Sequence, residues 1–415
     1  MRTITESIII LASFFVNQLL YRKKLPPPSR IKKILVVKLD HIGDVLLATP
    51  VITNLRRHYP HAHITLLIGS WSKQVVECNP HLDDIRYYDS PFFCRSSRAA
   101  TLKDAMQMLR WLKSERYDLI VELRGDFLTL ALAMLKSGKY RLDRSTQRVL
   151  KKLRAVLKEE KGGREGKEGR KGMQREILSD LATLRLCVKK LKESKENSEP
   201  AHSEHEVEIN LDVLRAGDIP ITSRETFFNV PSETQTWTRG FFSEIGIDTS
   251  KPIVAIHPGS PVPLKRWPAE RFAKLADILI ERKTQVLFLG GTNEKRLVEE
   301  VQAQMHHNSV NIAGRTNLQQ LGAVLQNCHL FIGNDSGPMH IAAAVGTRVI
   351  GLFGPGSPQR FGPFGDNCTA IRQKLDCPPC MKEKCSLHGR PGEEGCIVEI
   401  SVEDVLDTLS AFGKF

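Results

Sequence analysis

The sequence predicts an α/β protein built from two doubly wound, mostly parallel-sheet domains that face one another across a cleft. Three observations carry this expectation. Short apolar runs such as Ile34-Leu-Val-Val37 and Leu287-Phe-Leu289 alternate with helical stretches in both halves of the chain, and strands buried on both faces read as unbroken apolar runs. Glycine turns follow several of these runs, at Gly43, Gly259, Gly290-Gly291 and Gly333. The 415 residues give each half enough chain for its own core.

The first domain is expected over residues 30–215. Its opening strand is Ile31 to Lys38, followed by a turn and helix over Leu39 to Pro50. Next come strand His63 to Ile68, a helix near Trp71 to Cys78 and strand Ile85 to Tyr88. Helix Leu102 to Glu115, strand Asp118 to Glu122 and helix Phe127 to Lys136 continue the alternation. A basic insert at about 140–203 interrupts it, with helical stretches near Arg148 to Lys158 and Gln174 to Lys192. Its core run, Lys161-Gly-Gly-Arg-Glu-Gly-Lys-Glu-Gly-Arg-Lys-Gly172, cannot bury apolar surface. A helix from His205 to Leu214 then leads to an interdomain region at 216–250.

The second domain, 251–400, repeats the pattern. Strands are expected at Ile253 to Ile256, Gln285 to Leu289, Val310 to Ile312, His329 to Ile332 and Arg348 to Phe353, with helices between them. A C-terminal helix near Val402 to Phe412 closes the chain, within 401–415.

Composition narrows the function. Apolar content of 41% and charged content of 26% are those of a globular protein. A net charge of +13 favours an acidic partner: nucleic acid, anionic lipid or a phosphorylated ligand. No zinc-finger, aromatic RNA-binding or basic-dimer motif accompanies the charge, which argues against nucleic acid. The N-terminal segment, residues 1–29, is expected to lie on a membrane surface. Ile8 to Leu20 is shorter than the ~20 residues needed to span a bilayer. Arg2, Glu6, Ser13 and Asn17 recur at helical spacing, and Tyr21-Arg-Lys-Lys24 follows as a basic flank. A signal peptide and a helix packed on the body are the rival interpretations, and no small-residue cleavage site precedes Tyr21. Cys377, Cys380, Cys385 and Cys396 cluster near the end of the chain, at spacings that match no standard zinc finger. Thiols packing a C-terminal loop are the default, with a structural metal as the alternative.

Three strand-turn-helix loops carry the chemistry of the second domain. In Phe331-Ile-Gly-Asn-Asp-Ser-Gly-Pro-Met-His340, an apolar strand runs into a helix starting near Ser336. The free N–H groups of that first turn and the helix dipole attract phosphate. Gly337 lets a ligand approach the backbone, and Pro338 suits the first turn. An ordinary capped turn with Asp335 as N-cap is the alternative. In Ile256-His-Pro-Gly-Ser-Pro-Val-Pro-Leu-Lys-Arg-Trp-Pro268, Gly259 and Ser260 offer donors and Lys265 a point charge for phosphate. In Leu287-Phe-Leu-Gly-Gly-Thr-Asn-Glu294, Asn293 or Glu294 can accept hydrogen bonds from ribose. A solvated Lys265 and a helix-capping Glu294 remain open for those residues taken singly. Together the loops point to a nucleotide-linked ligand at the strand carboxyl ends.

In the first domain, Gly43-Asp44 sits where the opening strand gives way to its helix. A carboxylate there can act as general base toward a bound hydroxyl, and the helix dipole is expected to lower its pKa. Capping alone is the alternative for Asp44. Asp40 and His41 are further candidates for acceptor contact. No Asp-x-Asp occurs in the chain, so a metal clamp on a diphosphate lacks its usual sequence signal.

These segments resemble glycosyltransferase family 9, the heptosyltransferases of lipopolysaccharide core assembly. The resemblance rests on Ile34-Leu-Val-Val-Lys-Leu-Asp-His-Ile-Gly-Asp-Val-Leu-Leu-Ala-Thr-Pro50, Lys265-Arg-Trp-Pro268, Asn334-Asp-Ser-Gly-Pro-Met-His340 and Gly351-Leu-Phe-Gly-Pro355, which occur in family order. It implies a GT-B fold of two Rossmann-like domains and inverting, metal-independent transfer without a cofactor. The donor would be ADP-heptose and the acceptor the inner core of lipopolysaccharide, an anionic glycolipid at the cytoplasmic face of the inner membrane. The N-terminal domain would take the acceptor and the C-terminal domain the donor. By the same resemblance, Asp44 matches the family's base, with Gly43, Asp40 and His41 on the acceptor side. Lys265 matches its phosphate lysine, Glu294 its ribose acid, and Asp335, Ser336, Gly337 and His340 its donor-contacting turn. The cysteine cluster is similar to that of several members. The N-terminal segment and the basic insert depart from the compact family pattern, which leaves the acceptor open. Another nucleotide sugar or surface glycan, and a non-catalytic nucleotide- or glycolipid-binding protein, are the alternatives.

Overall fold

A computed structural model describes residues 24–90, 100–124, 138–144, 204–381, 385 and 395–412. The expected membrane segment before residue 24, the helix Phe127 to Lys136 and the helices of the basic insert lie outside the described residues.

The N-terminal domain runs through β1 (Lys33–Val37), α1 (Ile42–Leu46), α2 (Thr49–His58), β2 (His63–Ile68), α3 (Lys73–Val76), β3 (Asp84–Tyr87), α4 (Leu102–Glu115), β4 (Tyr117–Glu122), β5 (Gly138–Asp143) and α5 (Glu206–Arg215). Its strands form one parallel sheet in the order β3-β2-β1-β4-β5. β1 is central because Ile34, Leu35 and Val36 are wholly buried, each contributing about 2 kcal/mol relative to exposure. The helix expected over Leu39 to Pro50 is broken in two. Pro50 lies in the first turn of α2, and Thr49 Oγ1 donates to Leu46 O at 2.6 Å at the break. α4 begins at a reciprocal cap between Thr101 and Asp104.

The C-terminal domain contains α6 (Ser232–Glu244), β6 (Ile253–His257), α7 (Ala269–Glu281), β7 (Gln285–Phe288), α8 (Lys295–Gln302), β8 (Val310–Asn311), α9 (Leu318–Gln326), β9 (Leu330–Asn334), α10 (Gly337–Ala344), β10 (Arg348–Leu352), α11 (Pro358–Phe361), β11 (Cys368–Ile371) and α12 (Val402–Ala411). Its sheet is parallel in the order β11-β10-β9-β6-β7-β8. Gly333 is a glycine because β6 runs alongside: a Cβ there would meet His257 O at 2.8 Å.

Among the described residues, β5, β11, α6 and the short helix α11 were not anticipated from the sequence. β5 pairs with β4 at the start of the interval expected to be the basic insert, and its Arg141 and Asp143 are buried despite their charge. β11 adds a short edge strand. Within the interdomain interval 216–250, α6 packs on α9 and buries Phe241 and Phe242. The preceding segment is fixed to the other domain, where Asn54 Oδ1 accepts from Thr222 N at 2.6 Å and Thr49 Oγ1 accepts from Phe227 N at 2.8 Å.

Both sheets reverse direction next to their first strand, between β1 and β4 and between β6 and β9. Such reversals open crevices beyond the strand carboxyl ends. Asp44 and the Asn334 to Ser336 turn follow strands at these two points.

Candidate active site

On the C-terminal side, the site is built from the ends of β6 and β9. Asn334, fully buried, donates through Nδ2 to Pro258 O at 2.8 Å and accepts the Trp267 N–H at 3.0 Å. It thereby ties the β9 turn to the loop bearing Lys265. A 3₁₀ turn at Pro263–Lys265 brings Lys265 Nζ to 2.5 Å from Asp335 Oδ2. A Cβ on Gly356 would approach that same oxygen to 2.5 Å. Ser336 is the N-cap residue of α10, but its hydroxyl makes no capping bond and donates instead to Asn334 O at 3.0 Å. The amides of Gly337 and Met339 therefore begin the helix without a side-chain cap, as an anion site requires.

His257 closes β6 and bridges two of these loops. Its Nδ1 lies 3.1 Å from Ser336 Oγ and its Nε2 3.1 Å from Glu294 Oε2. Glu294 also accepts the Gly291 N–H at 2.8 Å. Burial pushes the Glu294 carboxyl up, but the His257 contact and the Gly291 amide prevail and hold it at about 2. Gly259 makes this possible, because a Cβ there would stand 2.0 Å from Glu294 Oε1. Ser260 is buried; its carbonyl accepts from Arg266 Nε at 2.8 Å and its Oγ from Val262 N at 3.4 Å. Those bonds shape the loop.

On the N-terminal side, His41 is the exposed N-cap of α1 and Asp44 lies half-buried in its first turn. Burial raises the Asp44 pKa, with Lys38 pulling the other way. This corrects the expectation of a lowered pKa: a dipole of only five residues is weak, and desolvation outweighs it. Lys38 sits just past β1 in a buried ionic cluster. Its Nζ is 3.1 Å from Asp40 Oδ2, 3.7 Å from Glu206 Oε1 and 3.4 Å from Leu123 O. Burial draws the Lys38 ammonium down to about 8 against the pull of Glu206. Asp40 also pairs with Arg124, so it belongs to this cluster. Glu206 is held by Arg144 on both oxygens and by Arg360 Nε at 3.1 Å. Burial would raise its pKa, but these cations hold it far below the ordinary carboxylate range.

The two sides meet at α1 and α10. A Cβ on Gly43 would stand 2.6 Å from His340 Cδ2, and one on Gly337 would stand 3.3 Å from Ile42 Cγ2. His340 is buried, its pKa pulled down to about 4 by burial. Further along, Gln74 Oε1 accepts the Leu318 N–H at 2.8 Å. Asp44 and the uncapped start of α10 thus lie on neighbouring first turns from opposite domains.

Cys396 opens a 3₁₀ turn (Cys396–Glu399) that packs against the Pro263–Lys265 turn. Cys380 is exposed and Cys396 is buried, with burial raising its thiol to about 11. Among the described residues no group of three or more His, Cys, Asp or Glu is placed to hold a metal ion.

Sequence reasoning passed over Lys38, Glu206, Arg144, Arg360, His257 and Asn334. A lysine ending the apolar run Ile34-Leu-Val-Val37 and a histidine ending Val254-Ala-Ile256 were the available signals.

Two parallel-sheet domains meeting at such loops define a GT-B glycosyltransferase. Comparison with known proteins narrows the class. The family model described as glycosyltransferase family 9 (heptosyltransferase) matches residues 183–390. Lipooligosaccharide heptosyltransferase 2 of Haemophilus influenzae is 35% identical over 166 residues, 39% of this chain and 47% of that protein; that alignment spans less than half of the relative. Lipopolysaccharide core heptosyltransferase OpsX of the same organism is 23% identical over 404 residues, 92% of this chain and 98% of its own. A crystal structure of glycosyl transferase family 9 from Veillonella parvula superposes with TM-score 0.69 at 24% identity, covering 92% of this chain and 97% of that one. The Escherichia coli ADP-heptose lps heptosyltransferase II structure gives 0.62 at 20% identity, covering 92% and 98%. The chain belongs to glycosyltransferase family 9.

Proposed function

We propose that this enzyme transfers a heptose from ADP-heptose to the inner core of lipopolysaccharide, with inversion at the anomeric carbon and without a metal ion. The observation that carries the proposal is the apposition of Gly43-Asp44 to the start of α10 across the two domains. This apposition supports the reading because it puts a carboxylate opposite an uncapped helix start that would receive phosphate, as an in-line displacement needs. The names of full-length relatives supply the sugar and the acceptor.

In this mechanism Asp44 takes the proton of the acceptor hydroxyl. That oxygen bonds to the anomeric carbon from the face opposite the nucleotide, and the bond from that carbon to the phosphate oxygen breaks. Its electron pair leaves with ADP. Lys265 and the first-turn amides of α10 stabilise the departing diphosphate. Glu294 receives the ribose hydroxyls, and His340, Asp335 and Ser336 contact the donor. The raised pKa of Asp44 makes its carboxylate a stronger base than that of an exposed aspartate. Asp40, His41 and Gly43 border the acceptor.

The acceptor is an anionic glycolipid, so the enzyme is placed peripherally on the cytoplasmic face of the inner membrane. Ile8 to Leu20 and the basic run Tyr21 to Lys24 would anchor it there. Among the described residues no helix is long and apolar enough to cross a membrane. Co-sedimentation with anionic vesicles tests this placement. Full-length chain should pellet, a chain starting at residue 25 should not, and equal pelleting would refute the anchor.

The functional test is transfer from ADP-heptose to a panel of truncated core acceptors in EDTA, with Asp44→Asn as the paired variant.

A further inference from the structure

Arg360 stands on α11 of the C-terminal domain, outside the loops assigned to the donor, yet its guanidinium reaches the other domain. Its Nε donates to Glu206 Oε2 at 3.1 Å. Beside it, His205 Nε2 lies 3.0 Å from Gly362 O, and the His205 and Phe364 rings are 4.8 Å apart. The start of α5 is thus docked against the segment that carries Arg360.

The Glu206 side chain is 2% exposed, and a buried carboxylate is costly unless it is paired. Its two oxygens divide the pairing. Oε1 faces Arg144 and, at 3.7 Å, Lys38. Oε2 faces Arg144 at 2.9 Å and Arg360 at 3.1 Å. Lys38 is the cation that acts most strongly on Asp44. We infer that Arg360 is a positioning residue that acts through Glu206 and Lys38 on the charge of Asp44, so that docking of the C-terminal domain onto α5 favours the ionised carboxylate.

The signs follow from the arrangement. With Arg360 in place, Glu206 is balanced by its partners on Oε2, and Lys38 is left to stabilise the Asp44 carboxylate. Without it, Glu206 is undercompensated and draws on Lys38, and Asp44 keeps its proton to higher pH. Among the described residues, the charged groups in this region include Lys38 and Asp40 after β1, Glu122 and Arg124 at the end of β4, Arg141, Asp143 and Arg144 at the end of β5, Glu206 on α5 with His205 before it, and Arg360 on α11. His41 bonds Asp44 through its backbone. His340, over Gly43, is uncharged near neutral pH. The catalytic meaning of the coupling rests on Asp44 acting as base.

The test reads Asp44 directly. The full-length protein is labelled with ¹³C at the aspartate carboxyls, and the Asp44 signal is assigned by its loss in Asp44→Asn. Arg360→Gln should raise the Asp44 titration midpoint by roughly half to one pH unit, since one positive charge is lost from the cluster around Glu206. Arg360→Lys should restore most of that shift. Glu206→Gln, which removes a negative charge, should move the midpoint down. An unchanged midpoint in Arg360→Gln, or a rise in Glu206→Gln, overturns the coupling. Turnover by Asp44→Asn is scored separately: a fully active Asp44→Asn would remove the base assignment without touching the titration result.

Discussion

Gly43 of the N-terminal domain lies directly against the imidazole of His340 in the C-terminal domain, close enough that a Cβ on Gly43 would stand 2.6 Å from His340 Cδ2. Contact this close holds Asp44, the next residue, beside the start of α10. Gly43 needs no unusual backbone angle; it is required because the ring occupies the space of a side chain.

Gly43→Ala should therefore separate the two first turns. We expect kcat to fall at least about tenfold, since a misplacement near 1 Å can cost about 10²-fold, with donor affinity changed far less. The double variant Gly43→Ala/His340→Ala removes the clash, so Gly43→Ala should cost less in the His340→Ala background than it does in wild type. Strict additivity in this cycle would show that the two residues do not meet in the working enzyme.

The raised pKa of Asp44 sets an acid limb. Its pKa lies above the ordinary aspartate value of about 4, so activity should decline as pH falls through that higher value. Lys38→Met removes the cation that opposes this shift, and the limb should move further up. A kcat profile in overlapping buffers checks both. A limb that moves down in Lys38→Met would contradict the electrostatics.

Lys265 should act on the donor. Lys265→Met removes a charge-assisted contact worth about 1.5–3 kcal/mol, so we expect donor Kd by calorimetry to weaken roughly 10- to 100-fold. The Asp44→Asn variant, by contrast, should bind donor within about twofold of wild type while losing about 10²- to 10⁴-fold in turnover. The same loss of donor binding in both variants would merge roles that the fold keeps in separate domains.

Acid should unlock the His257–Glu294 bridge. The folded pKa of Glu294 is depressed from 4.5 to about 2. Its stabilisation is present above the unfolded value and disappears as pH falls from about 5 toward 2, with a contribution on the order of 1–3 kcal/mol. Glu294→Gln should be less stable than wild type at pH 6, and the difference should shrink at pH 3. Urea midpoints at the two pH values measure this.

The fold was legible where local and tertiary signals agree. His63 to Ile68 is rich in β-branched and leucine residues, and Thr101-Leu-Lys-Asp104 announces the helix that follows. β5 was hidden because Gly138-Lys-Tyr-Arg-Leu-Asp143 reads as polar, whereas Arg141 and Asp143 are buried in the sheet. α6 was hidden because its threonines and Gly240 are poor helix formers; packing of Phe241 and Phe242 under α9 overrides propensity. At the site, the glycine turns were readable from sequence because close backbone approach demands glycine. The cluster of Lys38, Glu206 and Arg360 was not: these residues are far apart in the chain and meet only when α5 and α11 dock. The Asp44 pKa was misjudged for the same reason, since the burial that raises it comes from tertiary packing.

The central claim is that Asp44 deprotonates an acceptor while the C-terminal domain stabilises the leaving nucleotide without a metal. Transfer of heptose from ADP-heptose to truncated core acceptors, run in EDTA and detergent with wild type and Asp44→Asn side by side, tests it most directly. The expected result is transfer that persists in EDTA and falls at least about 10²-fold in Asp44→Asn, with donor binding retained. Transfer abolished by EDTA, or undiminished in Asp44→Asn, would contradict it.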